Sequence, residues 1–300
     1  MPDKSFDYHS AFSRNIGWIT PLEQDLLKSK CIAIAGLGGV GGSHLLTLTR
    51  LGIGNFNLSD YDCFELPNFN RQAGATLSHL NQPKVDVLAD MALDINPTLT
   101  IKKFSAGVNV DNLSDFFTDV DVYVDGLDFF AFDAREKVFA YCAANGIPAI
   151  TAAPLGMGVA LLNFLPGQMS FEDYFQLKGK AENDKILHFL LGLAPAMLQR
   201  GYLIDPSAVD LLNHKGPSTP MACELCAGVA ATQALKILLK RGKVLAAPWG
   251  LHFDAYGNKL AKTWRPGGNK NPLQRLAFRL AKRQLIATTI KQQWDRYNKT

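Results

Sequence analysis

Three hundred residues, 47% of them apolar and 19% charged, suffice for one large α/β domain and exclude a disordered or fibrous chain. Five cysteines form an odd, scattered set that argues against a disulfide framework, and the polar N-terminus, 1–15, lacks the apolar core of a signal peptide; a reducing cytoplasm is the expected compartment. The net charge of +4 hides an asymmetry: residues 265–300 carry nine Lys/Arg against one acid, while the remainder carries 22 against 26, so the body has no need of polyanions and the tail can attract them.

The first expected element is a buried strand at Cys31–Ala35, followed by Gly-Leu-Gly-Gly-Val-Gly and a helix through Leu51. A second strand, Asn55–Ser59, ends in the acids Asp60 and Asp62. A helix near Lys84–Asp94, a strand at Leu99–Phe104 and another at Val120–Asp125 come next, then a helix at Ala131–Ala144 and a strand at Ile147–Thr151. Short β-branched runs alternating with longer helical segments predict a Rossmann-like, doubly wound, mostly parallel sheet. After Thr151 the pattern changes to an antiparallel strand at Met157–Leu165 and a long, mostly helical crossover over 166–216. Its apolar run, 186–198, is broken by His188 and Pro195 and is too short to cross a bilayer. A buried helix at Met221–Leu239, a closing hairpin of Trp249–Tyr256 with Leu260–Trp264, and an amphipathic C-terminal helix at Asn271–Tyr297 complete the chain. The expected division is a nucleotide-binding domain over 1–264 and a basic extension over 265–300.

Ligands of such sheets sit beyond the carboxyl ends of the strands, where these acids cluster. Gly36, Gly38, Gly39 and Gly41 form the turn between first strand and first helix, where backbone can approach phosphate and the helix N-terminus offers unpaired N–H groups. Asp62, and alternatively Asp60, stands where a carboxylate accepts hydrogen bonds from ribose hydroxyls. These parts alone would also satisfy a dinucleotide site.

The remaining motifs go further. Ser59-Asp60-Tyr61-Asp62, then Leu66-Pro67-Asn68-Phe69-Asn70-Arg71-Gln72, Gln82-Pro83-Lys84 and Asp125-Gly126-Leu127-Asp128 resemble, in order and spacing, the acid-rich strand end, Asn-Leu-Asn-Arg-Gln, Gly-Gln-Pro-Lys and Asp-x-x-Asp signatures of the ThiF/MoeB/HesA family of ubiquitin-activating-enzyme-like adenylyltransferases. Phe12-Ser13-Arg14-Asn15 is similar to the family's Tyr-x-Arg-Gln segment, and the likeness runs over about residues 8–165, with a weaker echo from Met221. Phe129 and Pro67 depart from it, standing where the family commonly has Asn and Ser.

The resemblance implies ATP and Mg²⁺ as cofactors and adenylation of a carboxylate as the reaction. Attack on the α-phosphate brings a carboxylate against a polyanion, so cations must neutralise the phosphates and a metal the leaving pyrophosphate. Arg71 and Lys84 would supply the cations, Asp128 would hold Mg²⁺, Asn68 would support the loop, and Arg14 would reach the phosphates from the second subunit of a homodimer. The implied substrate is the C-terminus of a small ubiquitin-like or sulfur-carrier protein; a carboxylate on a modified tRNA base or a peptide would use the same machinery. An NAD-dependent oxidoreductase explains the glycines and Asp62 but leaves Arg71, Lys84 and Asp128 without a purpose. A non-catalytic heterodimer partner would have no need to retain Arg14 and those three residues.

No zinc is expected: Cys223-Glu224-Leu225-Cys226 is a single CxxC without a second, and the pair reads as buried packing. Cys31, Cys63 and Cys142 also read as structural. The tail, with Arg275, Arg279, Lys282, Arg283, Lys291, Arg296 and Lys299 among leucines and aromatics, allows two readings. One is a helix packing its apolar side on the body; the other is a docking surface for an anionic partner, an acidic carrier protein, RNA or a membrane surface.

Overall fold

The computed structural model describes residues 6–210 and 215–283. Two small N-terminal helices, α1 (Tyr8–Ala11) and α2 (Pro21–Ser29), precede the sheet. β1 (Cys31–Ala35), α3 (Gly41–Leu51), β2 (Asn55–Ser59), α4 (Lys84–Ile95), β3 (Thr100–Phe104), α5 (Leu113–Phe116), β4 (Val122–Asp125), α6 (Phe132–Ala144) and β5 (Ala149–Leu155) form the doubly wound half. β6 (Gly158–Phe164), α7 (Phe171–Phe175), α8 (Glu182–Leu193), α9 (Pro220–Leu238), β7 (Trp249–Asp254) and β8 (Lys259–Trp264) follow. A last helix, α10, occupies 272–283.

The eight strands run in the order β3-β2-β1-β4-β5-β6-β7-β8. The first five are parallel and the last three antiparallel, as the sequence pattern predicts. Alternation along β1 divides the core. Ile32 and Ile34 face a cluster shared with α3, α4 and α9, whereas Ala33 and Ala35 face one with Phe116, Tyr123 and Phe139 from the opposite side. β1 and β4 are buried along their whole length and read as apolar runs, whereas β2 alternates as Asn-Phe-Asn-Leu-Ser and the edge strand β3 is largely exposed.

Two details differ from the sequence expectations, and a third, the burial of α9, agrees with them. α2 is unforeseen, although Thr20 and Glu23 cap each other reciprocally with Pro21 at the first helical position. The crossover holds α8 as its one long described helix, the rest being α7 and short 3-10 turns. α9 is long and apolar enough to span a membrane by length and composition, but it packs against α3, β5 and β6; Cys223 and Cys226 on it are fully buried.

The tail shows a mixed outcome. α10 lays Gln274 and Phe278 on the body while Leu273, Leu276 and Leu280 stay more than half exposed, so its leucine stripe does not pack as an apolar side. Leu285, Ile286, Ile290, Lys291, Trp294, Arg296 and Lys299 lie outside the described residues. Cys63 is exposed, contrary to its structural reading, whereas Cys31 and Cys142 are buried.

Candidate active site

The glycine turn is dictated by crowding where two strands end together. Gly36 has φ +81, and a methyl there would run into the Gly126 carbonyl; one on Gly41 would run into the Gly36 carbonyl. These two glycines let the turn after β1 cross the start of the loop after β4. Gly38 and Gly39 meet no backbone. A Cβ on Gly38 would sit 3.6 Å from Gln72 Nε2, and one on Gly39 would sit 3.5 Å from Arg71 Nε and 3.6 Å from Cys223 Sγ. Space beside these two therefore opens toward Arg71, Gln72 and the start of α9. No side chain caps the N-terminus of α3, so its first amides point their partial positive charge into that space.

Asp60 holds the turn in place. Its Oδ2 accepts from Leu37 N at 2.6 Å and its Oδ1 from Asp62 N at 2.8 Å. Burial raises the carboxyl above its usual range, and the two backbone amides and Lys84 oppose that rise. Asp62 is half exposed at the β2 end and accepts from Lys84 Nζ at 3.0 Å, the lysine side chain being only 7% exposed. The backbone repeats the link, Lys84 N donating to Asp62 O at 2.9 Å. The ammonium at the start of α4 is thus fixed beside Asp60 and the glycine turn.

Arg71 is carried by a turn that Asn68 organises. Asn68 Oδ1 accepts from Glu65 N at 3.0 Å, and its carbonyl accepts from Arg71 N and Gln72 N. The Arg71 guanidinium donates through Nη1 to Pro67 O at 3.1 Å and Asn70 Oδ1 at 2.9 Å. Asn70 Nδ2 in turn donates to Ser218 O at 2.9 Å, and Ser43 Oγ to Glu224 Oε1 at 2.8 Å. These bonds bring the start of α9 over the site. Gln72 Oε1 is buried there with no partner among the described residues.

The loop after β4 has an anchor that sequence reasoning missed. Asp125 Oδ2 accepts from Arg135 Nε at 2.9 Å and from Thr151 Oγ1 at 3.0 Å. The same guanidinium donates to Leu127 O at 2.7 Å, Asp128 O at 2.9 Å and Phe129 O at 3.3 Å, and it lies over the Phe189 ring. Asp128 projects from this clamped loop, exposed, with Oδ1 accepting from Phe130 N at 3.0 Å. An exposed carboxylate on a fixed loop, two residues after the Gly126 that abuts Gly36, suits Mg²⁺, which takes one or two carboxylates and completes its shell with water and phosphate oxygens. Among the described residues no three His, Cys, Asp or Glu converge as a closed metal cage.

The structure thus brings together Gly36, Gly38, Gly39, Gly41, Asp60, Asp62, Asn68, Arg71 and Lys84 at the strand ends, with Asp128 on the loop beside them. Arg14 is the exception. It is exposed on a 3-10 turn whose neighbour Asn15 donates to Arg50 O and Leu51 O. That is the far end of α3, roughly 15 Å from the glycine turn at 1.5 Å per helical residue.

A doubly wound sheet with a glycine turn, strand-end acids and two cations at the same edge is the architecture on which α/β proteins cradle phosphates. The chain belongs to the ThiF family, whose model matches residues 12–276. It is 32% identical over 144 residues to the sulfur carrier protein ThiS adenylyltransferase of Escherichia coli (strain K12), covering 48% of this chain and 56% of that protein. It is 32% identical over 144 residues to the tRNA threonylcarbamoyladenosine dehydratase of Bacillus subtilis (strain 168), covering 47% and 55%. The chain spans little more than half the length of these relatives. The fold extends further than the sequence likeness: a crystal structure of E. coli MccB with ATP superposes with TM-score 0.64 at 20% identity, over 88% of this chain and 72% of that one.

Proposed function

We propose that this chain binds ATP at the glycine turn and transfers the adenylyl group to a carboxylate. The observation that carries the reading is the placement of Arg71 beside Gly39 and of Lys84 on Asp62, next to the Asp60 that holds Leu37 of the glycine turn. A dinucleotide's pyrophosphate needs the glycines and the helix end; a triphosphate adds the charge that these side chains answer.

In this reading a carboxylate oxygen forms a bond to the α-phosphorus while the bond to the bridging α–β oxygen breaks, leaving an acyl adenylate and pyrophosphate. The α3 amides, Lys84 and Arg71 hold the phosphates and oppose the negative charge moving onto the leaving group. Asp62 or Asp60 orients the ribose, and with both Asp60 oxygens engaged by backbone amides, Asp62 is the better placed. Bound Mg²⁺, held by Asp128, would supply further charge neutralisation at the phosphates, and Arg135 keeps Asp128 in position.

The acceptor we favour is the C-terminus of a small ubiquitin-like or sulfur-carrier protein, in line with the first-named E. coli relative. The B. subtilis relative, with its tRNA-borne substrate, supports a modified-base carboxylate as the alternative. The dimer reading rests on Arg14, which stands too far from its own site to serve it. Ile16, Trp18 and Leu22 around it are exposed at 42%, 86% and 81%, an apolar surface suited to self-association. Pyrophosphate exchange into ATP, assayed with candidate carrier proteins and with modified tRNA, tests the reaction and identifies the acceptor. Exchange stimulated by neither class would remove both acceptors from consideration.

A further inference from the structure

A cavity of about 320 Å³ lies between α8, α10 and the 3-10 turn Gly268–Lys270, and it shares no lining residue with the glycine turn. Its walls carry Lys180 from the segment before α8, Lys270 from the turn, and Arg275 and Arg279 from successive turns of α10. No Asp or Glu lines it. Among the described residues none of these four cations has an ion-pair partner. The nearby acid Asp184 is taken by Lys282 at 2.7 Å.

The floor is fixed. Asn269, 6% exposed, donates to Phe175 O at 2.8 Å and His188 O at 3.0 Å. Gln274, 4% exposed, donates to Leu191 O at 2.9 Å and accepts from Arg265 Nε at 3.2 Å. The His188 ring lies 4.3 Å from that of Phe278, giving the cavity one flat, largely apolar wall. Burial, with Lys180 adding to it, pushes this imidazole down to about 4, so at neutral pH it contributes a ring and a hydrogen-bonding nitrogen without a fifth positive charge.

Four unpaired cations surround a space of about ten water volumes. Their mutual repulsion is relieved by an anion, and the small space selects among anions. Peptide carboxylates carry one charge per residue, and successive residues of an extended chain stand about 3.3 Å apart. A phosphoryl group places nearly two charges and three acceptor oxygens on one atom, and paired guanidiniums match it bidentately.

We propose that this cavity is a second phosphate-binding site, distinct from the glycine turn, that takes a compact phosphorylated ligand. The phosphoryl group is a terminal or monoester phosphate, on a small soluble molecule or at the 5′ end of RNA, and the proposal stands independently of the adenylation reading.

The test is calorimetric titration of the full chain with inorganic tripolyphosphate at fixed ionic strength, in an Arg71→Ala, Lys84→Ala background that weakens the glycine-turn site. The expected result is saturable binding of about one tripolyphosphate per chain. Removing Arg275 and Arg279 together as Gln lowers that affinity at least about tenfold, and so does the separate pair Lys180→Gln, Lys270→Gln on the opposing walls. Competition by a 5′-phosphorylated single-stranded RNA oligonucleotide assigns the phosphate to nucleic acid; tripolyphosphate binding that this RNA does not displace assigns it to a small molecule. Absence of saturable binding, or an affinity that neither pair of substitutions changes, would overturn the proposal.

Discussion

Arg135 Nε stands 2.9 Å from Asp125 Oδ2 with both side chains 2% exposed, and the same guanidinium holds three successive carbonyls of the loop that carries Asp128. One buried ion pair therefore fixes the end of β4 and the proposed metal carboxylate together. Removing one partner leaves the other charged and buried, which costs about 3–5 kcal/mol. Arg135→Ala is expected to lose stability of that order in urea denaturation. A loss under about 1 kcal/mol, typical of an exposed ion pair, would show that the network does not anchor the loop.

Lys84 is predicted to matter for rate more than for folding. Its ion pair with Asp62 is half exposed on the carboxylate side, so its loss is tolerable, whereas a charge-assisted hydrogen bond to phosphate is worth about 1.5–3 kcal/mol. Lys84→Ala and Arg71→Ala are each expected to slow pyrophosphate exchange about 10–150-fold, and Asp128→Ala at least as much. Near-wild-type exchange in all three would mean that these residues have been given the wrong roles.

If Arg14 serves the neighbouring subunit, Arg14→Ala and Lys84→Ala chains should complement each other. Each mixed dimer keeps one site with both residues intact, so an equimolar mixture recovers about a quarter of wild-type activity under random pairing. A mixture no more active than its two components, at concentrations where sedimentation shows exchange of subunits, would place Arg14 outside the site.

His44 in α3 is fully buried and neither ring nitrogen has a partner among the described residues; burial pushes its pKa down to about 3 from an ordinary 6.5. The unfolded chain then binds a proton that the folded chain refuses between about pH 6.5 and 3, so stability falls as pH drops through that window. The slope from one histidine is at most about 1.4 kcal/mol per pH unit. His44→Leu should flatten the acid limb of a denaturation series; an unchanged pH dependence would show that the imidazole gains a partner or water in solution.

The doubly wound half of the fold was legible because its physics is local. β1 is an apolar run closed by Gly36 and β2 an alternating segment closed by Asp60, and their observed ends, Cys31–Ala35 and Asn55–Ser59, match the sequence reading to the residue. The glycine turn, Lys84 and Arg71 were legible through motif order. The Asp125–Arg135 pair was not, because ten residues separate the partners and no helical or strand period links them; only the return of α6 across the β4 end makes them neighbours. α2 was legible in principle from Thr20, Pro21 and Glu23 and was overlooked. Of the two readings of the tail, apolar packing fails for Leu273, Leu276 and Leu280, which stay in solvent, because the buried contacts run through the amides of Gln274 and of Asn269 in the preceding turn.

The glycine turn, in the function proposed above, is built for a triphosphate. Calorimetric titration of the full chain with ATP in the presence of Mg²⁺, and separately with NAD, tests it most directly. The expected result is saturable ATP binding that clearly exceeds NAD binding and weakens at least about tenfold in Lys84→Ala or Arg71→Ala. Preference for NAD, or ATP binding indifferent to both substitutions, would contradict it.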